Sequence, residues 1–112
     1  MPKYLNSVPK MENPPSPPLR ISEKDFELIE ELASYFFTPR EIAVIVEVNP
    51  DQFIAAMDNE DSRIYQVFQK GRLQSEMELR KSIIKLARAG SSPAQTMSLD
   101  LLNKSKMKML DK

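Results

Sequence analysis

The sequence predicts an all-α protein, and three observations support this. The 112 residues include only two glycines and no run of alternating β-branched residues, so nothing indicates a sheet. Leu, Glu, Lys and Ala are abundant, and these residues favour helices. Three of the nine prolines each follow a residue that commonly caps a helix. A chain of this length has material for one small domain.

The first element is a proline-rich arm. Six of the nine prolines lie in the first eighteen residues, and Pro14, Pro15, Pro17 and Pro18 cannot build a helical ladder. We therefore predict that residues 1–20 form a disordered arm. Composition does not distinguish a plain flexible tail from a proline-rich ligand for a partner.

The other three prolines mark helix starts. Thr38, Asn49 and Ser92 each precede a proline, and a Glu or Gln follows at the third helical position. In this pattern the cap side chain accepts from an unpaired N–H, and proline takes a position where no donor is needed. Ser22 begins a weaker version. The predicted helices span about 23–36, 39–47, 50–59, 62–89 and 93–104.

Residues 21–60 form the predicted head. Apolar residues at a spacing of about 3.6 give each of its three helices one face for a common core. Two short helices joined by a turn at residues 47–49 then indicate a helix-turn-helix. The core residues are predicted to be Phe26, Ile29, Leu32, Ala33, Phe36, Ile42, Ile45, Val46, Phe53, Ile54 and Met57.

Charge is divided along the chain although the total is zero. Residues 21–60 carry two cations against ten anions, about −8, whereas residues 61–112 carry about +6. At about 100° per residue, five cations of the fourth helix fall within roughly 60° of one another. This basic stripe can be a solvated face, a contact with the acidic head of another subunit, or a DNA contact. Its members are Arg63, Lys70, Lys81, Lys85 and Arg88.

The fourth and fifth helices are predicted to form a long helical hairpin, residues 61–104, which we expect to mediate oligomerisation. Opposite the stripe lies an apolar face, with Gly71 and Ser75 allowing another helix to approach closely. Gly90 ends the fourth helix, and residues 105–112 form a basic tail that is either frayed or binds DNA or a partner. The apolar residues of the two helices are Ile64, Phe68, Leu79, Ile83, Leu86, Met97, Leu101 and Leu102.

This order of parts resembles one family. Phe26–Leu32, Thr38–Ile42 and Val48–Phe53, with the run from Gln69 to Arg72 and on to Gly90, are similar to the small subunit of tailed-phage terminase with a short helix-turn-helix. The resemblance covers residues 22–104. It implies a bacteriophage homo-oligomer without enzymatic activity, which recognises double-stranded DNA for packaging and delivers it to the large terminase motor subunit.

Two features depart from that pattern. Glu47 stands where many helix-turn-helix proteins have glycine, so we expect this turn to be built differently. The third helix, as the possible recognition helix, exposes Gln52, Ala55, Ala56 and Asn59 but no cation, whereas DNA affinity depends on Lys and Arg. The alternative function is therefore a helix-turn-helix-like protein–protein interaction module that does not bind DNA.

Catalysis and membranes are not indicated. Without His or Cys the chain lacks imidazole acid–base groups, thiol nucleophiles and the usual zinc ligands, so we expect no enzyme, no cofactor and no metal. No signal-peptide or membrane-spanning apolar run is present. We expect a cytoplasmic protein, in the host cell if it is phage-encoded.

Overall fold

A computed structural model describes residues 18–111, and this part of the chain is all-helical, without strands. Five helices follow in the predicted order. They are α1 (Glu23–Ser34), α2 (Pro39–Ile45), α3 (Pro50–Met57), α4 (Arg63–Arg88) and α5 (Ser92–Leu110). Most of the predicted arm, residues 1–17, lies outside the described residues. Leu19, near the end of that arm, packs against the core.

Local capping explains where the helices begin. Thr38 and Glu41 form a complete capping box, with distances of 3.2 and 2.9 Å between their side-chain oxygens and the opposite backbone N–H groups. Asn49 accepts from the backbone of Gln52 at 2.9 Å. The prediction for α5 was wrong by one residue, because Ser91 and not Ser92 supplies the capping oxygen.

Three helices end in the same way. In each, the residue after the C-cap has positive φ, and its N–H donates to the carbonyl oxygen three residues earlier. The N–H of the next residue donates to the carbonyl oxygen five residues earlier, which completes a Schellman motif. Gly90, with φ of 105°, ends α4 as predicted. Phe36 and Glu47 take this conformation after α1 and α2, with φ of 66° and 61°. The expectation of a different turn at Glu47 was therefore wrong. Backbone hydrogen bonds hold Glu47 in the left-handed conformation, which glycine would adopt at a lower cost.

The core lies between α1, α2, α3 and the first half of α4. Its fully buried centre is formed by Ile29, Ile42 and Phe53, and Ile64 and Phe68 close it from α4. Gly71 lets α1 approach α4, since a Cβ there would lie 2.1 Å from the Glu30 carbonyl oxygen. The predicted narrow face at this glycine is thus confirmed.

Two predicted core residues are instead exposed. Phe36 is 50% exposed because α1 ends at Ser34, and the left-handed backbone turns this side chain away from the buried face. Ile45 is exposed because the buried face of α2 is centred on Ile42, Ala43 and Val46. Both side chains lie on the surface of the head.

The second half of the chain extends away from the core. The radius of gyration is 21.0 Å, against about 13 Å for a compact domain of this size. Among the described helices, α5 contacts only α4. The predicted apolar face of α4 is buried only near the head, at Ile64 and Phe68. Farther along α4, Leu79 and Leu86 of the same face are more than half exposed.

Helix α5 is longer than predicted. It continues to Leu110, so residues 105–110 of the predicted basic tail are helical. Only Ala94 of this helix is buried, and Ser98 and Leu101 are half-buried. No helix within residues 18–111 has the length and apolar character needed to cross a membrane.

Candidate nucleic-acid interface

Arg63, the first residue of the predicted basic stripe, is engaged within its own chain. Its guanidinium pairs with both carboxylate oxygens of Glu23, one of them at 2.6 Å, and lies 4.1 Å from the centre of the Phe26 ring. The hydrogen bond and the charge of Arg63 lower the pKa of Glu23, and Glu23 raises that of Arg63. Arg63 therefore joins the starts of α1 and α4 and is not a free cation for a ligand.

The other four stripe residues remain on the surface. Lys70, Lys85 and Arg88 are exposed and form no ion pair within the described part of the chain. Lys81 lies 3.9 Å from Glu78, the outer limit for an ion pair, and its side chain is 69% exposed. These cations are available to an external partner.

Three of these four cations form one patch near the end of α4. Lys81, Lys85 and Arg88 occupy positions i, i+4 and i+7, which lie on successive turns of the same helix face. They line a shallow groove together with Glu78, Ser82 and Ile84. We call Lys81, Lys85 and Arg88 the distal basic patch. Lys70 lies eleven residues earlier, about 16 Å along the helix axis.

The possible recognition residues do not form one exposed surface on α3. Ala55 is exposed, but Gln52 is half-buried and Ala56 packs against the core. Asn59 lies beyond the end of α3 and accepts from the backbone of Asp61 at 3.0 Å. The structure does not bring these four residues together as a reading face.

Sequence reasoning missed two features of α4. The first is an ion-pair network in which Glu76 joins Arg72 and Arg80, removing these two arginines from the available cations. An i, i+4 search for opposite charges would have found it.

The second missed feature is an exposed apolar seam formed by Leu73, Met77 and Ile84. These residues line a surface groove with Glu76, Arg80 and Lys81. Their spacing follows a heptad, with Arg80 between Met77 and Ile84, and a search for a 3.5-residue period would have found it. We call Leu73, Met77 and Ile84 the α4 seam.

Metal chemistry finds no support in residues 18–111, where no three acidic side chains are grouped as metal ligands would be. The chemistry available at the distal basic patch is the binding of anions by its exposed cations. Comparisons of the chain with protein-family models, curated proteins and solved structures give no match.

Proposed function

We propose that this protein is an oligomeric adaptor of the terminase small-subunit kind, which contacts double-stranded DNA during phage genome packaging through the distal basic patch. The observation that carries the proposal is the alignment of Lys81, Lys85 and Arg88 on one exposed face of α4. In this proposal α2, the connection Val46–Asn49 and α3 are a helix-turn-helix, α4 and α5 are a hairpin, and the chain is not an enzyme.

The spacing of the patch suits a phosphate backbone. Positions i to i+7 span about 10 Å of the α4 axis, and each DNA strand carries one phosphate per about 3.4 Å of the duplex axis. Three cations therefore meet about three phosphates. By contrast, α3 has no cation and lies in the acidic head, which repels a duplex. We infer that DNA is contacted by α4 without base-specific reading by α3.

Self-association supports such a role because three cations per chain bind DNA weakly at moderate salt. The α4 seam exposes three large apolar side chains on an extended helix. Burying them against a second copy removes apolar area from water and repeats the basic patch along the assembly. The large terminase subunit remains the proposed partner of this assembly.

The test is a titration of labelled duplex DNA with the full chain at several salt concentrations. Three phosphate contacts predict that log K falls with log salt with a slope of about −2.7 per protomer. Lys85→Gln is expected to reduce the magnitude of this slope by about 0.9. Lys24→Gln, which removes an exposed cation of α1, is the matched control and is expected to leave the slope unchanged.

Two results would contradict the DNA proposal. One is the absence of binding at low salt, and the other is an equal effect of the two substitutions. A strictly monomeric mass in light scattering would contradict the oligomeric part. The variant Leu73→Ser/Ile84→Ser tests the seam, since it is expected to lower the mass without unfolding a chain whose core lies elsewhere.

A second candidate function is a protein–protein interaction module that does not bind DNA. The observation that favours it is the head, which combines a charge of about −8 with exposed aromatic side chains at Tyr35 and Phe36. A wild-type chain that is oligomeric in light scattering but has no affinity for DNA would favour this function over the first.

A further inference from the structure

The surface of the head exposes four large apolar side chains, on α2 and on the connection before it. Tyr35 is 64% exposed and Phe36 50%, and Val44 and Ile45 are exposed on the adjoining α2. We call these four residues the head patch. Phe36 also holds a positive φ, which bulky residues seldom adopt. Burial of its side chain does not offset the cost of this strained backbone, because the side chain is half exposed. Exposed apolar patches of this kind mark interaction surfaces.

Acidic residues accompany the head patch. Glu31 lies one turn before Tyr35 on α1, and Glu41 lies one turn before Ile45 on α2. Glu47 follows Val46, the C-cap of α2. A partner that fits this surface therefore combines apolar side chains with positive charge.

The end of α5 has that combination and lacks support of its own. Every residue from Leu102 to Leu110 is exposed, and this helix contacts none of α1, α2 and α3. These nine residues continue a helix that is already formed, but they gain none of the tertiary packing that supplies most helix stability in proteins. Met109 and Leu110 share one face of this helix with Lys106. Lys104 and Lys108 lie on the opposite side, and all of these side chains are exposed. We call residues 102–110 the α5 end.

We propose that the α5 end of one copy docks on the head patch of another copy. This inference rests on the oligomeric part of the proposed function and names a contact between subunits that differs from the α4 seam. Met109 and Leu110 of the α5 end cover Tyr35 and Phe36, and Lys106, on the same helix face, meets the acidic residues beside them. Because the two surfaces differ, the contact is head-to-tail and propagates into a ring or an open chain.

Charge and topology select this occupant over others. Pairing of two α5 ends would place lysines against lysines. The head of the same chain is not the occupant, since α5 contacts only α4 among the described helices. DNA phosphates would pair with the lysines but would leave the methionines and Leu110 exposed to water. The head patch, by contrast, offers apolar and acidic side chains to the two kinds of residue.

The test uses the full chain and two charge-reversed variants. The head variant carries Glu31→Lys and Glu47→Lys, and the tail variant carries Lys104→Glu, Lys106→Glu and Lys108→Glu. Sedimentation measures the association of each variant alone and of an equal mixture. Each variant alone is expected to associate about tenfold more weakly than the wild type, because like charges then face each other.

The mixture decides the outcome. The two lysines introduced into the head patch of one variant now face the acidic α5 end of the other, so mixing is expected to restore association. A mixture no stronger than its components, or variants that keep the wild-type mass, would overturn the proposal. Loss of DNA affinity in the tail variant with unchanged mass would also overturn it by assigning the lysines to DNA.

A substitution that keeps the charge tests the apolar part. Phe36→Asn removes the aromatic ring and suits the positive φ, so it preserves the fold. It is expected to weaken association as well, and unchanged association would count against the head patch. Association restored in the mixture would support this contact even if the wild type binds no DNA. Failure of the DNA proposal can therefore be distinguished from failure of the proposed subunit contact.

Discussion

Replacing Gly71 by Ala tests the contact that joins the head to α4. In an exposed helix this change stabilises by about 1 kcal/mol because Ala has the higher helix propensity. Here the new Cβ would lie 2.1 Å from the carbonyl oxygen of Glu30 and 2.9 Å from its carbonyl carbon. Ordinary carbon–oxygen contacts are about 3.3 Å or longer, so the α1 backbone must move away by about 1 Å.

That displacement disturbs the most extensive helix contact in the described chain. Buried side chains such as Ile29 and Phe68 lose close packing when α1 moves. Overpacking typically destabilises by about 1–3 kcal/mol, and more where backbone meets backbone. After the gain in propensity is subtracted, we expect a net loss of about 2 kcal/mol and a fall in melting temperature of about 10 °C.

Thermal and urea unfolding followed by circular dichroism measure this effect. Ser82→Ala is the matched control, since Ser82 is exposed on the same helix and lies far from α1. It is expected to change the free energy of unfolding by a few tenths of a kcal/mol at most. A Gly71→Ala variant as stable as the wild type would show that α1 does not pack on α4 at this glycine.

Three further predictions concern local contacts. Glu47→Gly relieves a left-handed residue and should raise the urea midpoint by an amount equivalent to about 0.5–1 kcal/mol; a lower midpoint would contradict the positive φ. Because Arg63 lowers the pKa of Glu23, this pair stabilises the fold above the ordinary Glu pKa and loses its effect as pH falls through the lowered value. The stability difference between wild type and Glu23→Gln should therefore shrink on acidification, and a pH-independent difference would refute the pairing. Ser91→Ala should speed amide exchange at the start of α5 whereas Ser92→Ala should not, and the reverse result would restore Ser92 as the cap.

Much of the helix order was predictable because its signals are local. The cap residues Ser22, Thr38 and Asn49 act on backbone groups three positions away, so their effect is visible in a short stretch of sequence. The phase of the cations on α4 is equally local, since it depends only on helix geometry. Whether the distal basic patch binds DNA stays a prediction.

Other features depend on residues distant in the chain. Arg63 belongs by phase to the basic stripe, but Glu23, forty residues earlier, pairs with it once α1 packs beside α4. Sequence spacing contains no information on such a pair. In the same way, the burial of Gln52 and Ala56 depends on the elements that pack around α3.

The sequence by itself determined that this protein is helical, where most helices begin, and which side of α4 is basic. Only the tertiary structure decided which cations stay unpaired, which apolar residues remain exposed, and how far α5 extends. The physical reason is the distance along the chain over which each interaction acts. Capping and helix phase depend on residues within one or two turns, whereas burial and ion pairing depend on which helices meet. Phe36 illustrates the difference, because helix periodicity places it in the core and the left-handed end of α1 turns it to the surface.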